Sequence, residues 1–271
     1  MVVSGTVEVG GVRIAYRRAG EGPPLVLLHG IGGNAAIQWQ HQLDGLAGDF
    51  DVIAWDAPGY GGSDDPAGDW SMANYADRLA GLLDALGLTR VHLLGQSWGG
   101  VLVQVFYGRY ADRVASLLLV NTFGAGMQPE AERRASLEGR LRSLETMTPA
   151  EMAARRAPVL VAPGASPAAL AEGEAMMAEI HPAGYRMAAI ALAEADARHV
   201  LPRIAVPTLV VAGDHDTVVP LAASRTLRDA IPGASFAVVE GTGHLSSQEC
   251  PDAFDALVRD FLRTVPLTPA G

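Results

Sequence analysis

The sequence predicts an α/β fold built on a mostly parallel central sheet. Six short, solidly apolar runs alternate with segments of helical spacing along the chain. Solidly apolar runs are typical of strands that are covered on both faces, as in parallel sheets. Their alternation with helices is typical of βαβ units with right-handed crossovers. One long stretch without a strand-like run interrupts the alternation and predicts a helical insertion.

The first residues predict a β-hairpin rather than a buried parallel strand. Apolar and polar residues alternate at 6–9 and again at 12–16, on either side of Gly10-Gly11. A period of two residues across a Gly-Gly pair is typical of two antiparallel strands joined by a tight turn.

The alternating strands and helices begin at residue 25. The apolar runs predict strands at residues 25–28, 52–55, 91–94, 117–120, 208–212 and 236–239. The spacing of apolar residues predicts helices at residues 71–86, 98–110, 221–230 and 252–262.

The insertion predicts a division of the chain into a core and a cap. From residue 124 to residue 200 the sequence is alanine-rich and helical in character, with prolines that punctuate it at 158, 163, 167 and 182. We therefore predict a core domain at residues 1–123 and 201–271, and a helical cap at residues 124–200 that follows the sixth strand.

The charge balance excludes several classes of function. The chain has 271 residues with 20 basic and 30 acidic side chains, and all of the basic ones are arginine. The absence of lysine excludes a Schiff-base lysine and a P-loop lysine. A net charge of −10 offers no electrostatic footprint for nucleic acid or anionic lipid, so we expect neither as a partner.

Several features predict a cytoplasmic protein. The single cysteine, Cys250, cannot form an internal disulfide, which favours a reducing compartment. The first residues lack the basic start and long apolar run of a signal peptide. No uninterrupted apolar stretch approaches the 18 residues or more of a membrane helix.

A glycine-flanked serine follows the predicted strand at residues 91–94. Ser97 lies in the sequence Gly-Gln-Ser-Trp-Gly, between that strand and a predicted helix. A serine on such a tight turn needs small neighbours two residues before and after it, and the turn exposes its Oγ above the sheet. We predict that Ser97 is a catalytic nucleophile rather than a helix N-cap.

A nucleophilic serine needs a base, and the base needs an acid that orients it. His244 lies in a glycine-rich loop after the last predicted strand and is the predicted base. Asp214 and Asp216 both follow the strand at residues 208–212. Asp216 is the predicted acid, because its distance from Gly213 lets the loop turn toward His244. Asp214 is instead predicted to stabilise the turn through a hydrogen bond from its side chain to the backbone.

The loop after the strand at residues 25–28 predicts an oxyanion hole. Glycines in His29-Gly30-Ile31-Gly32-Gly33 let the backbone approach a substrate closely, so Gly30 and Gly32 are predicted to contact it. The main-chain N–H groups of Ile31 and Trp98 are the predicted donors, with Gly32 as the alternative to Ile31. His29 is predicted to shape this loop through hydrogen bonds.

Together these motifs resemble the serine-nucleophile branch of the α/β-hydrolase superfamily. They occur in order over almost the whole chain, at residues 29–33, 56–63, 95–100, 213–216 and 243–244. The resemblance implies an eight-stranded, mostly parallel sheet flanked by helices, with the triad Ser97, Asp216 and His244.

Within this superfamily two groups are particularly similar to the sequence. Residues 182–185, 204–213, 231–234 and 243–246 are similar to 3-oxoadipate enol-lactonases, and residues 56–63 resemble meta-cleavage C–C bond hydrolases. The resemblance implies hydrolysis of a small carboxylic ester or enol-lactone through an acyl-enzyme, without a metal or organic cofactor. A C–C bond hydrolase and a ligand sensor with slow turnover remain alternatives.

A carboxylated substrate would require an arginine that faces the pocket, because the guanidinium fork matches a carboxylate. Arg186, beside the aromatic Tyr185, is the predicted candidate. The pairs Arg133-Arg134 and Arg155-Arg156 are interpreted as solvated faces of cap helices.

Overall fold

A computed structural model describes residues 1–265 and Leu267, so the last residues of the predicted core segment 201–271 lie outside the described residues. The described part contains a single eight-stranded sheet. Its strands are β1 (Val3–Val9), β2 (Val12–Ala19), β3 (Pro24–Leu28), β4 (Asp51–Trp55), β5 (Val91–Gln96), β6 (Val114–Val120), β7 (Thr208–Gly213) and β8 (Ser235–Val239).

The strand order is β1-β2-β4-β3-β5-β6-β7-β8. The hairpin strand β2 pairs antiparallel with β1 and with β4, and the remaining neighbours pair in parallel. This topology confirms the predicted fold class. Register pairs such as Leu28 with Gly95 and Gln96 with Val120 align the carboxyl ends of three central strands. The loops that leave these strands therefore meet at one edge of the sheet, where ligands bind in open α/β sheets.

Eleven α-helices connect and cover these strands in the described part of the chain. They are α1 (Ala35–Gln38), α2 (Gln40–Gly45), α3 (Met72–Ala85), α4 (Trp98–Tyr110), α5 (Glu130–Thr146), α6 (Pro149–Leu160), α7 (Pro167–Ala178), α8 (Pro182–Glu194), α9 (Leu221–Asp229), α10 (Ser246–Glu249) and α11 (Pro251–Arg263). The four helices α5–α8 lie between β6 and β7, at the position of the predicted insertion, and we call residues 124–200 the cap.

The central strands consist of unbroken apolar runs because both faces of each strand are buried. In β3, Val26 and Leu28 pack into the cluster that includes residues of α3 and α4. Leu25 and Leu27 point to the opposite face and pack with residues of α11. All four side chains are fully buried, so neither face of the strand tolerates a polar residue at these positions.

The cap contains a third, smaller apolar cluster that reaches the sheet edge. Met152 of α6 packs in it with Met176 and Met177 of α7 and Tyr185 of α8, and Leu245 joins it from the loop that carries His244. In contrast, every residue of α5 is at least partly exposed. The apolar cluster therefore seats α6, α7 and α8 on the loops of the sheet, and α5 contributes to it only through the partly buried Leu144.

The buried carboxyl group of Asp255 in α11 makes stability depend on pH. Its Oδ1 accepts a hydrogen bond from Gln42 Nε2 at 3.0 Å, yet burial raises the pKa of Asp255 to about 6. Because this pKa lies above the value of an unfolded chain, the native state binds more protons between about pH 4 and 6, and stability falls as the pH rises through that range.

We expect Asp255→Asn to raise the free energy of unfolding at pH 7 by about 2 kcal/mol, because the variant has no buried charge to form. Urea unfolding between pH 4 and pH 8 measures this effect. The gain should disappear near pH 4, and Asp260→Asn at an exposed position of the same helix should show no such trend. A variant that is destabilised equally at all pH values would contradict this account.

No helix in residues 1–265 is long and apolar enough to cross a membrane. In the same residues, no group of three or more His, Cys, Asp or Glu side chains is arranged to hold a metal ion.

Candidate active site

Ser97 occupies a strained turn between β5 and α4. Its backbone has φ 54° and ψ −114°, a region that residues other than glycine rarely adopt. A Cβ atom at Gly95 would collide with the backbone of Gly99, and a Cβ at Gly99 would collide with the carbonyl of Leu28. The two glycines that flank Ser97 in the sequence are therefore required for the turn to close.

The amino end of α4 lies directly behind Ser97. Trp98 is the first residue of that helix, so its N–H has no intrahelical acceptor and can serve another group. The aligned peptides of the helix also favour negative charge at this end. The indole of Trp98 is buried and its Nε1 donates to the carbonyl of Ala188 in α8 at 3.1 Å. The side chain thus packs the cap onto the core, and only the main chain of Trp98 can act beside Ser97.

His244 and Asp216 form a buried pair at the same edge of the sheet. His244 Nδ1 lies 2.8 Å from Asp216 Oδ2, and both side chains are buried. The other carboxylate oxygen accepts from the main-chain N–H groups of Val218 and Val219, each at 2.8 Å. Burial alone would raise the pKa of Asp216, but His244 and these hydrogen bonds outweigh it and hold the pKa below its ordinary value. Asp216 is therefore ionised and keeps the Nε2 atom of His244 available.

Asp214, the competing acid in the sequence, does not contact His244. It lies on the surface, where its Oδ1 accepts from Gly241 N at 2.7 Å and from Thr242 N at 3.3 Å. The structure brings Asp216 to the histidine and leaves Asp214 to brace the turns after β7 and β8.

Asn121 is a third partner of this pair that the sequence analysis missed. It follows β6 with a left-handed φ of 44°. Its Nδ2 donates to Asp216 Oδ2 at 3.0 Å and to the carbonyl of Gly243 at 3.1 Å. Its Oδ1 accepts from Ser246 Oγ. Asn121 therefore connects the Asp216 carboxylate to the loop that carries His244.

Glu249 fixes the histidine loop from the other side. Its Oε1 accepts from Gly243 N at 2.9 Å and from Leu245 N at 3.2 Å, on either side of His244. Its Oε2 accepts from Ala162 N of the cap at 2.7 Å. Burial raises the pKa of Glu249. One carboxylate thus clamps the histidine loop to the end of α6.

A chain of side-chain amides connects the two loops that face Ser97. Gly30 N donates to Gln38 Oε1 at 3.1 Å, and Gln38 Nε2 donates to Gln96 Oε1 at 2.9 Å. Gln96 Nε2 in turn donates to the carbonyl of His244 at 2.7 Å. This chain sets the distance between the glycine-rich loop and the histidine loop, and no sequence spacing indicated it.

His29 braces the glycine-rich loop, as predicted. Its Nδ1 lies 2.8 Å from the carbonyl of Gly30, and its Nε2 lies 3.0 Å from Ala57 N. Burial lowers the pKa of His29, so the ring is neutral, with a donor at Nδ1 and an acceptor at Nε2.

Ser97 and His244 border a single cavity between the sheet edge and the cap. The cavity is narrow, with a volume of about 20 Å³. Gly30 and Ile31 line it from the glycine-rich loop, and the cap supplies a mixed wall of arginine and apolar side chains: Arg140, Arg156, Leu160, Met176, Met177 and Tyr185. Gly32 does not line the cavity. It has a φ of 89° and is packed so closely under Met177 that a Cβ atom would collide with its sulfur.

Arg186, the predicted carboxylate ligand, is exposed and does not line this cavity. Its neighbour Tyr185 does, because adjacent helix positions point about 100° apart. The prediction for Arg186 was therefore wrong. The interpretation of Arg156 as part of a solvated face was also wrong, since this side chain lines the cavity together with Arg140.

The arrangement contains the elements of nucleophilic catalysis. A serine on a strained turn, an imidazole at the same cavity and an ionised carboxylate behind the imidazole can generate an alkoxide-like nucleophile. Main-chain N–H groups at a helix start and in a glycine-rich loop can stabilise an oxyanion.

Comparison with known families agrees with this geometry. The sequence profile of the family described as alpha/beta hydrolase fold matches residues 23–158, about half of the chain. A second profile, described as TAP-like protein, matches residues 188–270. These matches confirm the resemblance inferred from the motifs.

Individual relatives have different activities. The 2-hydroxy-6-oxo-2,4-heptadienoate hydrolase of Pseudomonas putida is 30% identical over 94% of this chain and 95% of its own. An enol-lactonase from Burkholderia xenovorans has a TM-score of 0.87 and 29% identity, over 96% of this chain and 100% of its own. A thermophilic esterase from Thermogutta terrifontis has a TM-score of 0.86 and 31% identity, over 98% and 99% of the two chains. The chain therefore belongs to the α/β-hydrolase family and is a hydrolase.

Proposed function

We propose that this protein is a serine hydrolase that cleaves a small carboxylic ester or enol-lactone through an acyl-enzyme. The observation that carries the proposal is the buried 2.8 Å contact between His244 Nδ1 and Asp216 Oδ2, at the same cavity as Ser97. A carboxylate in that position fixes the imidazole with Nε2 directed away from it and stabilises the imidazolium that forms during proton transfer.

The proposed reaction has two steps. His244 Nε2 takes the proton of Ser97 Oγ as the oxygen attacks the ester or lactone carbonyl, and the main-chain N–H groups of Ile31 and Trp98 stabilise the oxyanion. The leaving oxygen departs and the acyl group remains on Ser97. His244 returns its proton to the leaving oxygen, or to the enolate of an opened enol-lactone as it becomes a ketone, and is neutral again. Water, deprotonated by His244, then releases the acid and restores the serine.

The cap is proposed to close this site as a separate unit, with residues 124–200 over a core of residues 1–123 and 201–271. Support comes from the cavity wall, to which α5, α6, α7 and α8 each contribute at least one side chain. Gly30 borders the cavity and is proposed to contact the substrate through its backbone.

C–C bond cleavage is the second candidate, supported by the 30% identity with the heptadienoate hydrolase. Such an enzyme would use the same three side chains on a different carbonyl compound. A ligand sensor that acylates Ser97 but hardly turns over is the third candidate, and steady-state kinetics separate it from an enzyme.

The proposal is tested by measuring kcat/KM of the purified protein on three substrates. These are 3-oxoadipate enol-lactone, a dienoate of the meta-cleavage type and a p-nitrophenyl ester of a short acid. We expect the lactone or the ester to exceed the dienoate by at least about tenfold, because the site is proposed to stabilise the addition of Ser97 to an ester carbonyl. Faster cleavage of the dienoate would instead indicate a C–C bond hydrolase. Stoichiometric acylation with negligible turnover would identify the sensor.

A further inference from the structure

Two arginines of the cap lie between the catalytic cavity and a second cavity. The second cavity has a volume of about 260 Å³ and lies between α5, α6 and α8. Arg140 of α5 and Arg156 of α6 line both cavities, as does Tyr185 of α8. These three side chains therefore form the partition between an inner chamber with Ser97 and an outer chamber that opens through the cap.

Neither guanidinium is neutralised within the part of the chain that the structure describes. The ion pairs of arginine with Asp or Glu in that part involve other arginines: Arg13, Arg18, Arg109, Arg113, Arg134, Arg198, Arg228, Arg259 and Arg263. Arg140 Nη1 instead donates to the hydroxyl of Tyr185 at 3.1 Å. The guanidinium groups of Arg140 and Arg156 thus line the same cavity, beside the hydroxyl of Tyr185.

The energetics of this pair favour an additional anion. Burial and repulsion by Arg140 lower the pKa of the Arg156 guanidinium. Like charges that are partly removed from water destabilise a site unless an opposite charge accompanies them. Each guanidinium presents a planar fork of N–H donors, which matches the two oxygens of a carboxylate.

We propose that Arg140 and Arg156 bind a carboxylate of the substrate, and that the substrates are therefore esters or lactones that carry a second, free carboxylate. This inference rests on the proposed function, since it assigns the reacting carbonyl to Ser97. The carboxylate lies at the partition and the acyl chain spans the inner chamber to Ser97. Tyr185 orients the Arg140 guanidinium through its hydroxyl.

A matched pair of esters tests this site. p-Nitrophenyl hexanoate and the mono-p-nitrophenyl ester of adipic acid have acyl chains of equal length and differ only in a terminal methyl or carboxylate. We expect the wild type to prefer the adipate ester in kcat/KM. Arg140→Gln and Arg156→Gln should each lower kcat/KM for the adipate ester about 30-fold, as for a lost charge-assisted hydrogen bond, and change the hexanoate ester less than about threefold.

Arg142→Gln is the matched control, because Arg142 lies on the same helix with its side chain exposed. It should leave both esters unchanged. A wild type that prefers hexanoate would overturn the site, and so would arginine variants that slow both esters equally, which would indicate a structural role.

Binding of adipate to the Ser97→Ala protein, measured by isothermal titration calorimetry, separates this inference from the proposed function. Arginine-dependent binding of adipate without turnover of any ester would contradict the proposed function and leave the carboxylate site standing. Ester turnover that requires Ser97, with no adipate binding and no effect of the arginine variants, would overturn the site and leave the hydrolase proposal intact.

Discussion

Ser97→Ala should lower kcat/KM for the best substrate of this protein by at least about 10⁴-fold, because no other group can replace the nucleophile of a triad. The strained backbone at Ser97, with φ 54°, is set by the flanking glycines rather than by the hydroxyl. The variant should therefore fold normally, with a thermal midpoint close to that of the wild type. Initial rates with the preferred ester and thermal unfolding measure both quantities.

Ser4→Ala is the matched control for this change, since Ser4 lies exposed on the edge strand β1. It should retain full activity. Residual activity of Ser97→Ala above about one per cent, in a protein that unfolds at the wild-type temperature, would exclude Ser97 as the nucleophile.

Asp216→Asn should lower kcat about 10³- to 10⁴-fold while KM changes little, because an amide cannot hold the imidazole in the productive tautomer or stabilise its cation. The amide oxygen can still accept from Val219 N, which now donates to Asp216 Oδ1 at 2.8 Å. We therefore expect a folded protein with a slow chemical step. Separate determination of kcat and KM on the preferred ester checks this expectation.

Asp214→Asn tests the competing acid within the same loop. An asparagine can still accept from Gly241 N and Thr242 N, the two donors that Asp214 now binds. Its activity should stay within about threefold of the wild type. The reverse pattern, with an inactive Asp214→Asn and an active Asp216→Asn, would transfer the role of the acid to Asp214.

The sequence was sufficient for the sheet because the relevant signals are local. The unbroken apolar run that ends at Leu28 reports burial on both faces, and the glycines around Ser97 report a turn without room for side chains. Each of these signals depends only on residues that are close together in the chain, so it can be recognised in a single sequence without knowledge of the fold. The predicted strand at residues 91–94 extends to Gln96 in the structure, because pairing with β6 continues to the turn itself.

The supporting contacts of the site could not be predicted because they join residues that are far apart in the chain. Asn121 reaches Asp216 across 95 positions. Gln96 reaches the carbonyl of His244 across 148 positions. Such contacts depend on register across the sheet and on loop closure, which residue spacing does not encode. Asn121 follows β6 directly, and an asparagine in a loop has many ordinary roles, so its identity alone does not indicate this contact.

The directions of side chains on α5 were least predictable, because this helix has no apolar stripe. In α5 no residue is buried, so no apolar stripe indicates which side faces the cavity. Arg140 belongs to that helix and lines the cavity, whereas Arg186 was chosen for its aromatic neighbour and is exposed. The direction of a long side chain on such a helix follows from packing between elements rather than from its own segment.

Labelling with a fluorophosphonate, followed by peptide mapping, identifies the nucleophile of this protein. Because the chain has no lysine, trypsin releases Ser97 in the peptide 91–109, in which it is the only serine. We predict one label per chain on Ser97, which the product acid of the preferred ester slows by competition and which is also strongly slowed in Asp216→Asn. Labelling at another residue, or at Ser97 with equal rates in the wild type and Asp216→Asn, would contradict the assignment of a Ser97, His244 and Asp216 triad.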